Sequence, residues 1–393
     1  MKRYEVAIIG GGVIGCAIAC FLVRSHPQRR VCVIERDPTY ARASSALSAS
    51  SIRQQFSTAL SVQMSQFGFA FFNGISSRLN TEGKRAPIDI GLTERGYLVL
   101  AGGDGESNLR ADNAMQCSNG ASVELLDAAA LGNRFPWLNT SGITLAGYGN
   151  KGEGWFDGYA VLQAFRRYAI ANTVEFLAAE VVNFASSGSR IDAALTDTGS
   201  RVSANMFVNA GGPWAADLCR FLGSELPVSP RKRQVFVFDC ADTLENLPMI
   251  FDPSGVWCRP EGARFLAGKA PEPDNDPPAA DLEQIDYQAF DEQIWPHLAH
   301  RVPAFERIKI SAAWAGYYAY NAFDQNAILG HHPDLDNFIL ANGFSGHGMQ
   351  HAPAVARGIA ELINTGGYTS LDLAPLSLDR VRAGTPIVER TVY

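Results

Sequence analysis

Residues 6–23, VAIIGGGVIGCAIACFLV, carry no charge over 18 positions. An apolar run of that length has to leave water, by crossing a membrane, by serving as a signal segment, or by entering a packed core. Gly10, Gly11 and Gly12 stand together inside it, where each weakens a continuous helix. The hydrophobic pattern also changes there, from a short unbroken run to helical spacing. The stretch therefore reads as two elements joined by a glycine turn. No other segment of the sequence approaches spanning length.

Residues 4–9 read as a buried parallel strand and residues 13–23 as a buried helix, with Gly10-Gly11-Gly12-Val13-Ile14-Gly15 as G-x-G-x-x-G between them. Residues 30–34 make a second apolar strand, which Glu35 ends 20 residues after Gly15. Strand, glycine turn, helix, strand and terminal acid at this spacing form the dinucleotide-binding fingerprint. Gly10 makes the tight turn, Gly12 lets a pyrophosphate reach the backbone, and Gly15 lets helix and strand pack closely. The helix N-terminus, with Val13 and Ile14 on its first turn, offers unpaired N–H groups and the positive end of its dipole to phosphates. Glu35 is suited to accept hydrogen bonds from an adenosine ribose and to repel a 2′-phosphate. The motif alone does not separate FAD from NAD.

A chain of 393 residues allows two or three domains and a large core without disulfides. With 47% hydrophobic and 19% charged residues it is not a disordered chain. A net charge of −7 argues against nucleic-acid binding, which calls for a basic face. There are 7 cysteines and no C-x-x-C pair, so neither a zinc ribbon nor a thioredoxin-type site is signalled. Cys16, Cys20 and Cys32 fall in apolar runs as small buried hydrophobes, and a reducing cytoplasm fits that usage.

Downstream, the pattern predicts a polar loop over 36–51 and helices over 58–76, 104–117, 126–131 and 160–171, the last capped by Asp157. Strands are expected at 96–101, 174–176, 190–196, 206–208, 228–238, 308–320 and 338–341. Residues 281–298 and 349–364 read as helices, and 271–278 (PEPDNDPP) as a polar surface loop. Two more glycine turns carry information. Residues 209–214 (NAGGPW) lead from a strand into a helix with Pro near its first position. Residues 342–348 (NGFSGHG) do the same with little side-chain bulk, which in a dinucleotide protein aims N–H groups at a flavin pyrimidine ring.

GGGVIGCAIA, VIERD, ARASSALSASSIRQQF, VNAGGPW and GFSGHGMQ, in that order, resemble the D-amino acid oxidase-like flavoprotein superfamily, which includes sarcosine oxidases, dimethylglycine dehydrogenases and glycine oxidases. The likeness covers nearly the whole chain. It implies an α/β, Rossmann-like FAD-binding domain assembled from residues 1–90, 150–225 and 320–393. It also implies a substrate domain on an antiparallel β-sheet from residues 91–149 and 226–319. By position, Gly10, Gly12, Val13, Ile14, Gly15, Glu35, Arg36, Ser44 and Ser45 match the ADP-binding part. Val181 matches a valine whose backbone meets adenine, and Ala210, Gly211 and Trp214 match the second adenosine-side turn. Gly343, Phe344, Ser345, Gly346, His347, Gly348 and Met349 match the isoalloxazine loop.

Some positions depart from the superfamily pattern. Ser50 and Ser51 stand where relatives often have two glycines, so backbone approach to the flavin is altered or the hydroxyls bond to it. Tyr317 and Ser48 stand at about the places of covalent attachment, so the resemblance implies non-covalent FAD. Phe265 and Gln350 stand roughly where monomeric sarcosine oxidases have lysines that assist oxygen and bind the substrate carboxylate. Fast oxygen use and sarcosine specificity are therefore not implied.

The reaction implied is hydride transfer from the carbon beside an amine nitrogen to flavin N5, then imine hydrolysis, with oxygen or an electron carrier as acceptor. The expected substrate is a secondary amine or amino acid, with an N-alkyl amino acid favoured. Arg53 is the candidate for holding a substrate carboxylate bidentately, against a solvated or phosphate-side arginine. Arg259 is the second candidate, against a surface salt bridge. Of Tyr317, Tyr318 and Tyr320, one parity is expected to face the cavity and the other the core, with Tyr318 on the cavity side. His347 is placed to donate to flavin or substrate, near Gln350. His331-His332 lacks a carboxylate or cysteine at ligand spacing and reads as a turn or surface pair, so no metal is expected. Two other functions stay open. One is an assembly factor for a respiratory complex with structural FAD, because a mitochondrial member of the superfamily is associated with such assembly. The other is a biosynthetic imine-processing flavoprotein.

Overall fold

The apolar N-terminal stretch divides at its glycines. Arg3–Ile9 is a strand and Val13–Ser25 a helix. The structure, a computed structural model, describes residues 3–80, 87–279 and 281–390. The first strand pairs in parallel with Val31–Glu35 on one side and Arg201–Asn209 on the other, so it lies inside a sheet with both faces covered. That is why its sequence is apolar throughout instead of alternating. Val6 and Ile8 pack with Val13–Ser25, while Ala7 and Ile9 enter the core on the opposite face. Among the described residues no helix is long and apolar enough to cross a membrane.

The first sheet runs in the order Ile328–His331, Phe338–Asn342, Arg201–Asn209, Arg3–Ile9, Val31–Glu35, Glu175–Ala178. Its first pair is antiparallel and the rest parallel. Val181–Ser187 and Arg190–Thr196 add an antiparallel ribbon onto Arg201–Asn209. Helices Val13–Ser25, Ala59–Asn73, Gly158–Ala171 and Gly348–Thr365 share one core against this sheet. Asp157 caps the third of them, accepting from the Ala160 amide at 2.9 Å.

The second sheet runs Ile308–Asn321, Val228–Cys240, Arg264–Lys269, Val256–Glu261, Met249–Phe251, Tyr97–Ala101, Leu145–Gly149, Val123–Asp127. It is antiparallel except between Met249–Phe251 and Tyr97–Ala101. Its buried face carries a cluster of rings that includes Phe236, Phe238, Phe265, Phe290 and Phe305. All 7 cysteines are free.

Two expected helices differ. Residues 126–131 are the end of the strand Val123–Asp127 and the start of the helix Ala128–Arg134. Leu125 and Leu126 pair with Gly147 and Ala146, a non-local partner that local periodicity does not reveal. Asp127 ends the strand and caps the helix, accepting from the Ala130 amide. Residues 281–298 become helical only at Tyr287–Ala289, pass through a π-helical turn at Phe290–Ile294, and end in Trp295–Arg301. Pro296 lacks the N–H that a regular i→i−4 ladder needs, which matches the irregular turn before it.

Candidate active site

The G-x-G-x-x-G turn takes the geometry its spacing implies. Gly10 sits at φ +100°, and a Cβ there would stand 2.3 Å from the Ala210 carbonyl oxygen. A Cβ on Gly15 would stand 1.9 Å from the Gly10 carbonyl oxygen, so strand and helix touch backbone to backbone. A Cβ on Gly12 would meet only Ser45 Oγ, at 3.4 Å, on the side open to the cavity. Gly12 is the N-cap of Val13–Ser25 and brings no side-chain bond to it. The Val13 amide donates to Ser45 Oγ at 3.3 Å. Glu35 accepts from the amides of Gly11 at 2.6 Å and Asp37 at 2.8 Å, which fixes its carboxylate at the cavity edge.

From this turn a cavity of about 460 Å³ runs in two directions. Toward one end lie Glu35, Arg36, Val181, Ala210, Gly211 and Trp214. The Arg36 guanidinium stacks 3.7 Å from the Trp214 ring centroid, and Trp214 meets Tyr317 edge-on at 5.4 Å. Asn209 pins the second glycine turn, accepting from the Gly211 amide at 3.1 Å and donating to the Ala215 carbonyl at 2.9 Å. Ser44 Oγ is buried on the cavity wall and has no hydrogen-bond partner among the described residues.

Toward the other end lie Ser50, Ser51, Arg53, Tyr318, Phe344, Gly346, His347, Gly348, Met349 and Gln350. Ser50 takes the left-handed region at φ +51°, where glycine is ordinarily favoured. Ser345 does so at φ +48°. Gly343 and Ser345 shape the loop without lining the cavity. Ser345 Oγ accepts from the Asn321 amide at 2.9 Å and its own amide donates to the Ala319 carbonyl at 2.9 Å. Gly346 is required by the tyrosine beneath it, because a Cβ there would stand 2.5 Å from Tyr318 Cε2.

Arg53 is 3% exposed. Its Nη2 bonds to His347 Nε2 at 3.2 Å, its Nη1 donates to the Gln55 carbonyl, and its guanidinium lies 4.3 Å from the Phe56 ring centroid. Its backbone amide donates to Gln350 Oε1 at 2.9 Å, and Ser65 Oγ donates to the same oxygen at 3.3 Å. Burial, then the charge of Arg53, hold His347 well below the usual histidine range, and burial brings His351 down to about 3. His347 is therefore neutral. Because arginine only donates, its Nε2 is the acceptor and Nδ1 carries the proton. Burial raises the Tyr318 hydroxyl, so it too keeps its proton at neutral pH.

Besides Gly343 and Ser345, which do not line the cavity, the placements differ from expectation in two respects. Arg259 does not line the cavity. It is a buried strut whose guanidinium bonds to the carbonyls of Ala49 and Pro260 and to Glu261, tying the loop before Ser50 to the second sheet. Tyr317 and Tyr318 both line the cavity despite opposite parity, because their strand Ile308–Asn321 is a sheet edge that the cavity wraps. Tyr317 accepts from Arg42 Nη2 at 2.8 Å. Phe265 is core, stacked on Phe238. His332 is a turn residue, within 2.7 Å of Ser224 Oγ and accepting from the Asp334 amide. Arg42, Arg233 and Lys269 also line the cavity, and no motif singles them out. Arg231, Lys232 and Arg233 form one basic run in the sequence, which offers no signal that the third of them faces inward.

A Rossmann-type glycine turn midway along one cavity, a second helix N-terminus at its far end, and an antiparallel sheet alongside define a flavoprotein oxidoreductase fold. The donor set fits FAD, since the orphaned Ser44 Oγ and the N-terminus of Val13–Ser25, which has no side-chain cap from Gly12, line the same cavity. A family described as FAD dependent oxidoreductase matches residues 5–362, and the chain belongs to it. It is an FAD-dependent enzyme of this family, related to glycine oxidase. The chain is 39% identical to FAD-dependent oxidoreductase domain-containing protein 1 of Xenopus laevis, over 100% of this chain and 85% of that protein. Its fold is similar to that of L-proline dehydrogenase from P. horikoshii, with TM-score 0.87, 25% identity and 98% and 100% of the two chains covered. Glycine oxidase from Geobacillus kaustophilus gives TM-score 0.81 at 26% identity, over 96% and 99% of the chains.

Proposed function

We propose that the chain oxidises the C–N bond of a secondary amine or amino acid, with N-alkyl amino acids favoured, and passes the electrons to oxygen or a carrier. The observation that carries this reading is Arg53, a buried guanidinium on the cavity wall beside His347 and the start of Gly348–Thr365. A desolvated arginine there suits a substrate carboxylate. Two similar structures are named for glycine and L-proline, both amino acids and the second a secondary amine. FAD, when bound, supplies the hydride acceptor.

The chain's own residues bind, orient and exclude water. Arg53 holds the carboxylate, and Gln350 fixes the arginine by accepting from its backbone amide. His347, neutral and with its proton on Nδ1, is a donor beside the helix N-terminus. Tyr318 forms the wall between Arg233 and the glycine loop. No strong base is needed when the amine enters deprotonated. No cysteine is among the described cavity-lining residues, which supports non-covalent FAD. Free cysteines support a reducing compartment such as the cytoplasm. The strands of the two sheets support an FAD-binding domain from residues 1–90, 150–225 and 320–393, and a substrate domain from 91–149 and 226–319.

The test is anaerobic titration of the holoenzyme with N-methyl and N-alkyl amino acids, D- and L-amino acids and opines, following loss of the oxidised flavin absorbance. Bleaching by one class is expected. Arg53→Ala should raise the concentration needed by about 10- to 100-fold, the range of one charge-assisted carboxylate contact. If no compound bleaches the flavin and Arg53→Ala changes nothing, the FAD is structural and the proposal fails.

A further inference from the structure

Arg231, Lys232 and Arg233 follow one another on the strand Val228–Cys240. Arg233 lines the cavity, with its guanidinium carbon 5.1 Å from the Tyr318 ring centroid. The Tyr318 ring lies in turn against Gly346 of the flavin loop. Arg233 is thus one aromatic ring away from the reacting end of the cavity. It is held by a two-point fork to Asp276, with Nη1–Oδ1 at 2.8 Å and Nη2–Oδ2 at 2.7 Å. The pair is largely buried, with side chains 13% and 10% exposed.

This fork is the geometry by which arginine binds a carboxylate ligand. Here the carboxylate comes from the chain's own proline- and aspartate-rich segment at 271–278. That segment is tied to the same strand by the Ala279 amide, which donates to the Pro230 carbonyl at 2.9 Å. Arg233 Nε is buried and has no hydrogen-bond partner among the described residues, so the protein does not use all that the guanidinium offers. Asn275 and Pro277 flank Asp276, and among the described residues the segment is also tied to the sheet by the ion pair of Lys269 with Glu272 at 3.1 Å, whose carboxylate side chain is exposed.

We propose that Asp276 is a displaceable occupant of the Arg233 fork, and that Arg233 accepts a second anionic group of the substrate while Arg53 holds the first carboxylate. The substrate class is then an amino acid whose nitrogen or side chain carries a further acid group. This rests on the assignment of Arg53 above. A second carboxylate trades places with that of Asp276, and the 271–279 segment moves away from the strand. A monocarboxylate fills the Arg53 position and leaves the fork closed.

The experiment uses FAD-loaded enzyme and two four-carbon acids, succinate and butyrate, titrated against the flavin absorption spectrum. Asp276→Ala removes the internal competitor and is expected to tighten succinate at least about tenfold while leaving butyrate within about threefold. Arg233→Gln should weaken succinate about tenfold or more and leave butyrate unchanged. In the unaltered enzyme, succinate but not butyrate should speed amide hydrogen exchange over residues 274–279, a readout independent of any substitution. If Asp276→Ala leaves succinate unchanged, weakens it, or shifts both acids equally, Asp276 is a fixed wall and the proposal is overturned. Absence of succinate binding to Asp276→Ala overturns it as well. Butyrate binding that depends on Arg53 in those cases leaves the assignment of Arg53 standing.

Discussion

Gly12→Ala and Gly15→Ala remove glycines from the same turn, yet the structure assigns them different consequences. At Gly15 the new Cβ would lie 1.9 Å from one backbone atom, the Gly10 oxygen, and 3.0 Å from another, the Gly10 carbon. Ordinary contact begins near 3.4 Å, so the helix must withdraw by about 1.5 Å from a strand that is paired on both sides. Overpacking that cannot be relieved by a rotamer change costs about 3 kcal/mol or more. At Gly12 the nearest described atom is Ser45 Oγ at 3.4 Å, and φ is −64°, which alanine adopts freely. Only the poorer N-cap counts against the folded chain, about 0.5–1 kcal/mol. The added methyl instead occupies the space where a pyrophosphate would approach the helix amides. Displacing it should cost FAD about 3 kcal/mol, more than 100-fold in affinity.

The assay pairs thermal unfolding of apoprotein with an FAD titration followed by flavin fluorescence quenching. Gly12→Ala should unfold within a few degrees of the parent apoprotein and bind FAD at least 100-fold more weakly. Gly15→Ala should lose both stability and FAD. If Gly12→Ala binds FAD within about threefold of the parent, close backbone approach at that position is not what holds the cofactor. If it loses as much apoprotein stability as Gly15→Ala, the separation drawn from the contact distances is wrong.

Ser50 holds φ +51°, a conformation that costs a non-glycine residue about 1 kcal/mol or more. Ser50→Gly should therefore leave the thermal midpoint unchanged or slightly raised, whereas Ser50→Val should lower stability by more than about 2 kcal/mol; equal effects would show that the backbone there is unstrained. Glu153 is fully buried, accepts from the Gln54 amide at 2.6 Å and from Gln55 Nε2 at 2.9 Å, and is pushed by burial up to about 7. Because the folded chain binds this proton more tightly than the unfolded chain, its contribution to stability is greatest below about pH 4.5 and is lost as pH rises to about 7. Glu153→Gln should flatten that decline, which spans on the order of 3 kcal/mol, in denaturant midpoints measured from pH 5 to 8. An unchanged slope would place the titration elsewhere.

Much of the nucleotide half of the site is legible in the sequence. Gly10, Gly12, Gly15 and Glu35 are close along the chain, and their spacing sets their geometry, so local rules suffice. The Gly343–Met349 loop is legible for the same reason. The substrate half is not. Arg259 looks like a cavity arginine until the Ala49 carbonyl, 210 residues away, claims it. Arg233 looks like one member of a surface basic run until strand pairing turns it inward, onto Tyr318 and Asp276. Parity does not separate Tyr317 from Tyr318, because it presumes that the cavity lies on one face of the strand, and at this sheet edge residues of both faces line it.

By itself, the sequence determined that an uncharged 18-residue stretch folds as a strand, a turn and a helix around a dinucleotide, because three glycines and an acid act over a few bonds. Only the tertiary structure decided which charges face the cavity and which are already spent. Arg53, Arg233 and Arg259 are all buried or nearly so, and composition cannot tell them apart. What separates them is the partner each meets: a neutral histidine, a carboxylate from a loop, or carbonyls across the fold. Those partners come from loops and helix ends distant in the chain, and the free energy of a buried charge is set by its neighbours and not by its place in the chain.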